Sequence, residues 1–314
     1  MVSIIITAWK EEKTIAKALY SFLDDDYVRS ELPFEIIIVA PDEETRNAAK
    51  YAALEIGIGS KLKLLKDEAL GKPSALNLAL EKSNGDVLIF SDGDVFVEKN
   101  AVSELLKILK DESVGIVSGR PVSIDPKTNF MGYMGHLLSD AAHHKRSKVL
   151  INHFEGEDKS ISQKNDFFPV SGYLYALRRS DEIKFPSDCL VDDAYISYLV
   201  FNKGLKVAYQ PRAVVYVKYP KTLSDYFRQK KRSTGGYLQL WEYGIIKPET
   251  KSRTFFKELE YFWFPIKYAK NLKELLWSLL IYPLRLSLWI AIIWERKIIK
   301  KEFSKTWTRV ETTK

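Results

Sequence analysis

The chain has 314 residues, 46% of them hydrophobic, which excludes a disordered polypeptide and allows one large domain or a domain with an appendage. Its one cysteine, Cys189, excludes an internal disulfide and points to a reducing compartment. The formal charge of +7 is uneven: residues 221–314 hold 20 Lys+Arg against 9 Asp+Glu, and residues 1–220 hold 28 against 32. A basic tail on a mildly acidic body predicts an anionic partner for the tail (lipid, a phosphate-bearing ligand or nucleic acid) or simply a solvated basic surface. Met1 leads straight into "VSIIITA" without a basic region or a small-residue cleavage site, so no leader peptide is expected. Charged residues are abundant and glutamine is scarce, a composition associated with thermophiles.

Strands and helices alternate over the first hundred residues. Strands are expected at 2–8, 34–40, 61–65 and 86–90, each short and rich in Ile, Val or Leu. Between them the spacing predicts helices at 14–23, 43–56 (stopped by Gly57) and 73–83, with Pro73 in the first turn where its missing N–H costs nothing. That order predicts an α/β fold with a mostly parallel sheet covered on both faces. Ligands of such sheets bind beyond the carboxyl ends of the strands. Asp42, Asp92 and Asp94 all fall there. "IFSDGDVFVEKN" (89–100) poses the sharpest question, because a buried strand ends on two carboxylates separated only by Gly93. Either the pair is solvated or something positive sits between them.

Beyond residue 100 a helix (100–110) and a strand (114–118) lead into a long polar stretch that reaches about residue 168. A strand at 173–179, a helix at 192–204 stopped by Gly204, and two short strands in "LKVAYQP" and "AVVYVKY" follow. His136, Asp140, His143 and His144 share helical spacing and read as surface or acceptor-side polar residues rather than metal ligands. The run 275–294 is nearly all apolar and long enough to span a bilayer. Its eleven Leu and Ile contribute roughly −3 to −7 kcal/mol to insertion, against about +3 kcal/mol for Arg285, before Pro283 is counted. Spanning is therefore marginal. Trp277, Trp289 and Trp294, with the basic flank Arg296, Lys297, Lys300 and Lys301, suit a helix lying in the membrane interface. The alternative is a helix pair packed on the catalytic body.

Asp-x-Asp after a buried strand suits Mg²⁺ or Mn²⁺, which relieves the repulsion and bridges a diphosphate. In this setting the chain resembles the family 2 inverting glycosyltransferases of GT-A fold. It falls in the branch of the cellulose, hyaluronan and poly-N-acetylglucosamine synthases. "VSIIITAWKEEKTI" is similar to that family's first strand and loop, "GKPSALNLAL" (71–80) to its Gly-Lys-x-x-Ala-Leu-Asn segment, and "NGDVLIFSDGDVFV" to its metal-binding strand. "SGYLYALRRS" resembles its acceptor-side segment, "VDDAYIS" (191–197) its Glu-Asp-x-x-Leu-Ser helix start, and "QKKR" (229–232) the first part of Gln-x-x-Arg-Trp. These matches run in order over about residues 2–236.

The resemblance implies a role for each matching position. Thr7 and Ala8 would line the nucleotide at the end of the first strand, Asp42 would contact base or ribose, and Lys72 would reach the base or phosphates. Asp92 and Asp94 would hold the donor and its metal. Asp193 would be the general base, with Asp192 raising its pKa by like-charge repulsion and Gly172 on the acceptor side. Gln229 and Arg232 would meet the diphosphate. Read alone, Asp192 and Asp193 are accounted for as an N-cap and a first-turn acid, and 229–232 as an exposed basic face. Three departures stand out. Lys10 replaces the family's Asn, Ala40-Pro41-Asp42-Glu43 replaces Asp-Asp-Gly-Ser, and Ser233 replaces the tryptophan after Gln-x-x-Arg. Loss of that tryptophan, with one apolar run rather than several, implies addition of one sugar rather than processive extension.

The expected organisation is a catalytic domain at 1–220, comprising a sugar-nucleotide half (1–98) and an acceptor half (99–220), followed by the Gln-x-x-Arg segment and C-terminal helices at 221–314. The expected activity is metal-dependent inverting transfer of one hexose-type sugar from a nucleotide diphosphate sugar. UDP is the favoured nucleotide. The acceptor would be a hydroxyl of a glycan or lipid-linked glycan, at the cytoplasmic face of the membrane. A polyprenyl (dolichyl) phosphate sugar synthase is the alternative acceptor class. A nucleotidyltransferase is disfavoured because "TAWKEEKT" lacks a glycine-rich loop. A non-catalytic sugar-nucleotide-binding protein is disfavoured by intact Asp92, Asp94, Asp193 and Arg232. Nucleic-acid binding is disfavoured because the basic residues are interleaved with apolar sequence.

Overall fold

A computed structural model describes residues 1–30, 33–154, 167–250 and 259–297. The chain divides into two compact units, Met1–Val122 with Pro169–Val217, and Ser123–Phe168 with Lys218–Thr313. Residues 123–168 group with 218–313 in the second unit.

The first unit carries the sheet. Its elements run β1 (Val2–Thr7), α1 (Ile15–Leu23), α2 (Asp26–Arg29), β2 (Phe34–Val39), α3 (Glu43–Glu55), β3 (Leu62–Leu65), α4 (Lys72–Lys82), β4 (Val87–Asp92), β5 (Phe96–Val97), α5 (Ala101–Ile108) and β6 (Val114–Ser123). After α6 of the second unit (Phe130–Phe154) come β7 (Leu174–Arg178), α7 (Asp192–Asn202) and β8 (Lys206–Val217). The strand order is β3-β2-β1-β4-β7-β6-β8-β5. β3, β2, β1 and β4 are parallel, whereas β7 is antiparallel to both β4 and β6. β1 and β2 are buried along their whole length, as expected of strands covered on both faces. The chain's unbroken Ile runs supply that burial.

Three sequence expectations differ from the structure. The stretch read as polar to 168 holds the 25-residue helix α6. Its apolar residues gather at its start (Phe130, Tyr133, Met134, Leu137) and most of its polar ones in the run 139–148, so no continuous stripe marks it. The two short strands are one strand, β8, which runs through Pro211. β5 pairs with it only at Val215 and Tyr216, away from the proline, so no ladder bond to β5 is lost there. Pro283 does not divide the C-terminal run, which is a single helix.

The second unit is helical. It comprises α6, α8 (Leu223–Glu242), α9 (Phe264–Tyr268) and α10 (Leu272–Lys297). Tyr133, Met134, Leu137, Tyr226 and Ile281 form its core. Tyr133 shares a 2.7 Å hydrogen bond with Ser278 Oγ, and Ser278 in turn donates to the Pro265 carbonyl at 2.7 Å. These bonds satisfy both of these buried hydroxyls. Thr222 caps α8 by accepting from the Asp225 N–H. Lys300 and Lys301 of the expected basic flank lie outside the described residues.

Candidate active site

The site grows from the carboxyl ends of the parallel strands. Thr7 and Asp92 are partners in the β1–β4 register, and Thr7 Oγ1 donates to Asp92 Oδ1 at 3.1 Å. The Gly93 N–H then bonds the Thr7 carbonyl at 3.0 Å. A Cβ on Gly93 would lie 2.4 Å from Glu11 Oε2 and 2.8 Å from the Ala8 Cβ. Only glycine therefore lets the Asp-x-Asp turn pass this close to the first loop, and a small residue at position 8 serves the same approach.

The positive charge that the aspartates call for comes from the protein. Gly71, at φ +104°, turns the chain into α4, so that Lys72 is its first residue. Lys72 Nζ lies 2.7 Å from Asp92 Oδ1 and 3.7 Å from Asp192 Oδ2. Burial by itself would lower the pKa of this ammonium, but Asp192, Asp92 and Asp193 outweigh that and hold it well above the usual lysine value. Lys72 is therefore charged at any working pH.

Asp192 and Asp193 open α7, and neither side chain caps it: Val191 is the N-cap residue, with no side-chain bond. Asp193 Oδ2 accepts the Gly172 N–H at 3.0 Å and Oδ1 accepts its neighbour Ala194 N–H at 2.8 Å. Each oxygen keeps a further lone pair. Ser197 Oγ donates to the Asp193 carbonyl at 2.6 Å and accepts the Val170 N–H at 3.0 Å, which ties the segment around Gly172 to this helix. Burial, then Asp192, push the Asp193 pKa up, partly offset by the two amides and Lys72. The result is a carboxylate more basic than usual, the property a general base needs. Asp192 Oδ2 is buried with no hydrogen-bond partner among the described residues.

Two residues near these carboxylates were not singled out from sequence. Tyr175 stacks on Phe90, its β4 partner in register, with centroids 4.8 Å apart. Its hydroxyl is buried without a hydrogen-bond partner among the described residues, and its pKa is driven up first by burial and then by Asp192, Asp193 and Asp92. Only the strand pairing reveals it. Asn77, inside the recognised "GKPSALN" segment, donates Nδ2 to the Phe185 carbonyl and accepts the Phe185 N–H through Oδ1, both at 2.8 Å. A primary amide supplies that donor and acceptor together, which explains an Asn at this position: it staples the loop that leads into Asp192.

Asp42 sits at the N-cap of α3. Its carboxylate accepts the Thr45 N–H at 3.1 Å, the Thr45 hydroxyl, and the Lys10 N–H at 2.8 Å. Burial would raise its pKa, but these donors outweigh it and lower the value. Lys10 is in the left-handed region at φ +53°, where Asn is far more at ease than Lys, a physical reason for the family's Asn. Asp42 thus clamps the first loop to α3.

The structure places Thr7, Ala8, Lys72, Asp92, Asp94, Gly172, Asp192 and Asp193 in the first unit, and hydrogen bonds or ion pairs link Thr7, Asp92, Lys72 and Asp192 in sequence. Gln229 and Arg232 lie on α8 of the second unit. The histidine group of α6 has local partners. His136 Nε2 bonds the Asp125 carbonyl at 2.6 Å, His143 Nδ1 lies 3.2 Å from Ser147 Oγ, and His144 packs against Phe264. Asp140 accepts from Tyr268 OH at 2.7 Å. Among the described residues no three His, Cys, Asp or Glu side chains gather to hold a metal by themselves. Asp92 and Asp94 offer hard oxygen donors, which fit Mg²⁺ or Mn²⁺ if phosphate oxygens and water complete the shell. Cys189 is buried, and burial followed by Asp192 pushes its thiol up to about 12, so it is no nucleophile.

An α/β sheet with acidic strand tips, a lysine at the start of the facing helix and a raised-pKa carboxylate beside them defines a nucleotide-binding transferase. The sequence pattern of glycosyl transferase family 2 matches residues 3–182, and the chain belongs to that family and is a glycosyltransferase. The match ends before Asp192. The chain is 26% identical over 255 residues to a probable glycosyltransferase, YdaM, of Bacillus subtilis. It is 24% identical over 240 residues to poly-beta-1,6-N-acetyl-D-glucosamine synthase of Staphylococcus aureus. Each alignment covers 75% of this chain and 54% of the relative, so the chain spans about half the length of these curated relatives. A mannosyltransferase from Pyrobaculum calidifontis, solved with GDP-Man and Mn²⁺, superimposes with a TM-score of 0.63 at 19% identity, covering 96% of this chain and 88% of that one. That likeness establishes the GT-A fold.

Proposed function

We propose that the protein transfers one hexose-type sugar, with inversion, from a nucleotide diphosphate sugar to a hydroxyl of a glycan or lipid-linked glycan at the cytoplasmic face of the membrane. The observation that carries this is the Thr7–Asp92–Lys72–Asp192 chain beside the raised-pKa Asp193, built at the strand ends of a family 2 chain. Asp193 takes the acceptor hydroxyl's proton on one of its remaining lone pairs while its two amide bonds hold it in place. Lys72, fixed at the start of α4, turns its ammonium to the diphosphate. Asp94, with Asp92, would hold Mg²⁺ or Mn²⁺, which supplies positive charge at the leaving group when bound. Gln229 and Arg232 are assigned to the diphosphate on the strength of the motif, and Asp42 to base or ribose through the remaining lone pair on Oδ1.

UDP is the favoured nucleotide, and GDP is the rival because the Pyrobaculum mannosyltransferase was solved with GDP-Man. A thermal-shift panel of UDP-, GDP- and dTDP-sugars with Mn²⁺ tests the reading. One nucleotide class raises Tm in the wild type, and Asp94→Ala abolishes the metal-dependent part of that rise. No shift with any donor, or a shift unchanged by chelator and by Asp94→Ala, overturns it. Transfer to a polyprenyl phosphate instead of a hydroxyl would move the acceptor to the alternative class.

A further inference from the structure

Helix α10 is the one helix among the described residues long and apolar enough to cross a membrane, over Leu272–Glu295. Its two sides differ. One side carries Leu272, Leu276, Leu280, Leu286, Ile290 and Trp294, each between 51% and 72% exposed, and with exposed Pro283 between Leu280 and Leu286 these positions recur every three or four residues. From Leu272 to Trp294, at about 1.5 Å per residue, this strip is about 33 Å long. Phe262, whose ring lies 4.6 Å from that of Tyr282, and the neighbouring Trp263 widen it with two more exposed aromatics. Exposed Lys267, Lys270 and Lys273 border the end where α10 begins.

The opposite side is committed to protein. Ser278 is fully buried and bonded to Tyr133, Arg285 Nη1 donates to Tyr226 OH at 3.3 Å, and Glu295 pairs with Lys231 Nζ at 2.5 Å. Tyr226 and Lys231 belong to α8, which also carries Arg228, Lys230 and Arg232 within the same two turns. A helix bonded in this way cannot cross the bilayer alone, because α8 would have to follow with four cations in five residues, and charges of that density do not enter hydrocarbon. An apolar strip of this length, edged by lysines and ending in tryptophan, matches an anionic lipid surface rather than a compact protein patch.

We infer that α10 lies in the plane of one leaflet, with its outer face (Leu272 to Trp294, joined by Phe262 and Trp263) sunk into the headgroup–acyl boundary and its inner face kept on α6 and α8. The inference rests on the proposed membrane location and specifies its mode. Helix α10 is then held in the interface without crossing the bilayer, and the lipid covers this face without a partner chain.

The test uses the full chain and vesicles of phosphatidylcholine with phosphatidylglycerol. Wild type floats with them. Leu280→Glu and Ile290→Glu, both at exposed positions, each weaken binding by about tenfold or more. Both leave Tm and the donor-induced thermal shift unchanged, so the sugar-transfer reading is scored separately. An environment-sensitive label at Leu272→Cys, Leu286→Cys or Trp294→Cys is then quenched by lipids carrying spin labels at graded depths. All three positions at one shallow depth are the expected result. A deep middle position between two shallow ends would mean a span, and it would overturn the in-plane mode while leaving the membrane location standing. Wild type that fails to float would overturn both. A lipid-free dimer that Leu280→Glu splits into monomers, without flotation, would assign the face to a second copy.

Discussion

Replacing Asp193 by Asn separates chemistry from binding. Removing a positioned general base costs about 10²- to 10⁴-fold in rate, or about 3–5 kcal/mol of barrier. The structure limits the collateral damage. The Asn carbonyl oxygen can keep one of the two bonds that Asp193 accepts, from Gly172 or Ala194, while its amide nitrogen faces the other N–H. That lost bond costs about 1 kcal/mol, and relief of the buried like-charge contact with Asp192 works against it. Folding is therefore maintained, and donor affinity with Mn²⁺, in which the proposed roles give Asp193 no part, stays within about threefold. Asp192→Asn is the control. It deletes a carboxylate 3.7 Å from Lys72 and lowers the Asp193 pKa by removing the second-largest cause of its rise. Its rate falls about tenfold or less. Single-turnover transfer measures the first effect and calorimetry with sugar nucleotide and Mn²⁺ the second. If Asp192→Asn is dead while Asp193→Asn turns over, or if donor affinity collapses with Asp193→Asn, the roles drawn here are wrong.

Two further outcomes follow from the same geometry. Gly93→Ala forces a methyl group to within 2.8 Å of the Ala8 Cβ, so it destabilises by about 1–3 kcal/mol and loses metal-dependent donor binding; an unshifted Tm would show that the turn has room. Asp193 has a folded pKa above the usual 3.8, so its protonated form favours the fold below that value and the advantage is lost as pH rises through the raised pKa. Melting curves in chelator should therefore show Asp193→Asn gaining stability relative to wild type as pH rises above about 4, and a difference that does not change with pH would contradict the raised pKa.

Much of the first unit was readable because its strands are apolar runs bounded by turn residues, and because its chemistry sits on local motifs. Thr7, Lys72, Asp92 and Asp193 each lie at an element end, where a short sequence window sees both the element and the break. What escaped depends on distant pairing. Tyr175 enters the site through a strand register with Phe90, and Asn77 acts on Phe185 more than a hundred residues away. Helix α6 escaped because its apolar and polar residues are segregated along its length instead of around it, so periodicity found no signal. Pro283 lies inside the single helix α10, on its exposed side.

The lysine at the head of α4 gives the resting molecule its own counter-ion. Its single charge is shared between Asp92 and Asp192, so part of their repulsion is offset from within the chain. Under the roles proposed above, a nucleotide diphosphate would draw this ammonium away from one carboxylate and leave that oxygen open to a metal ion.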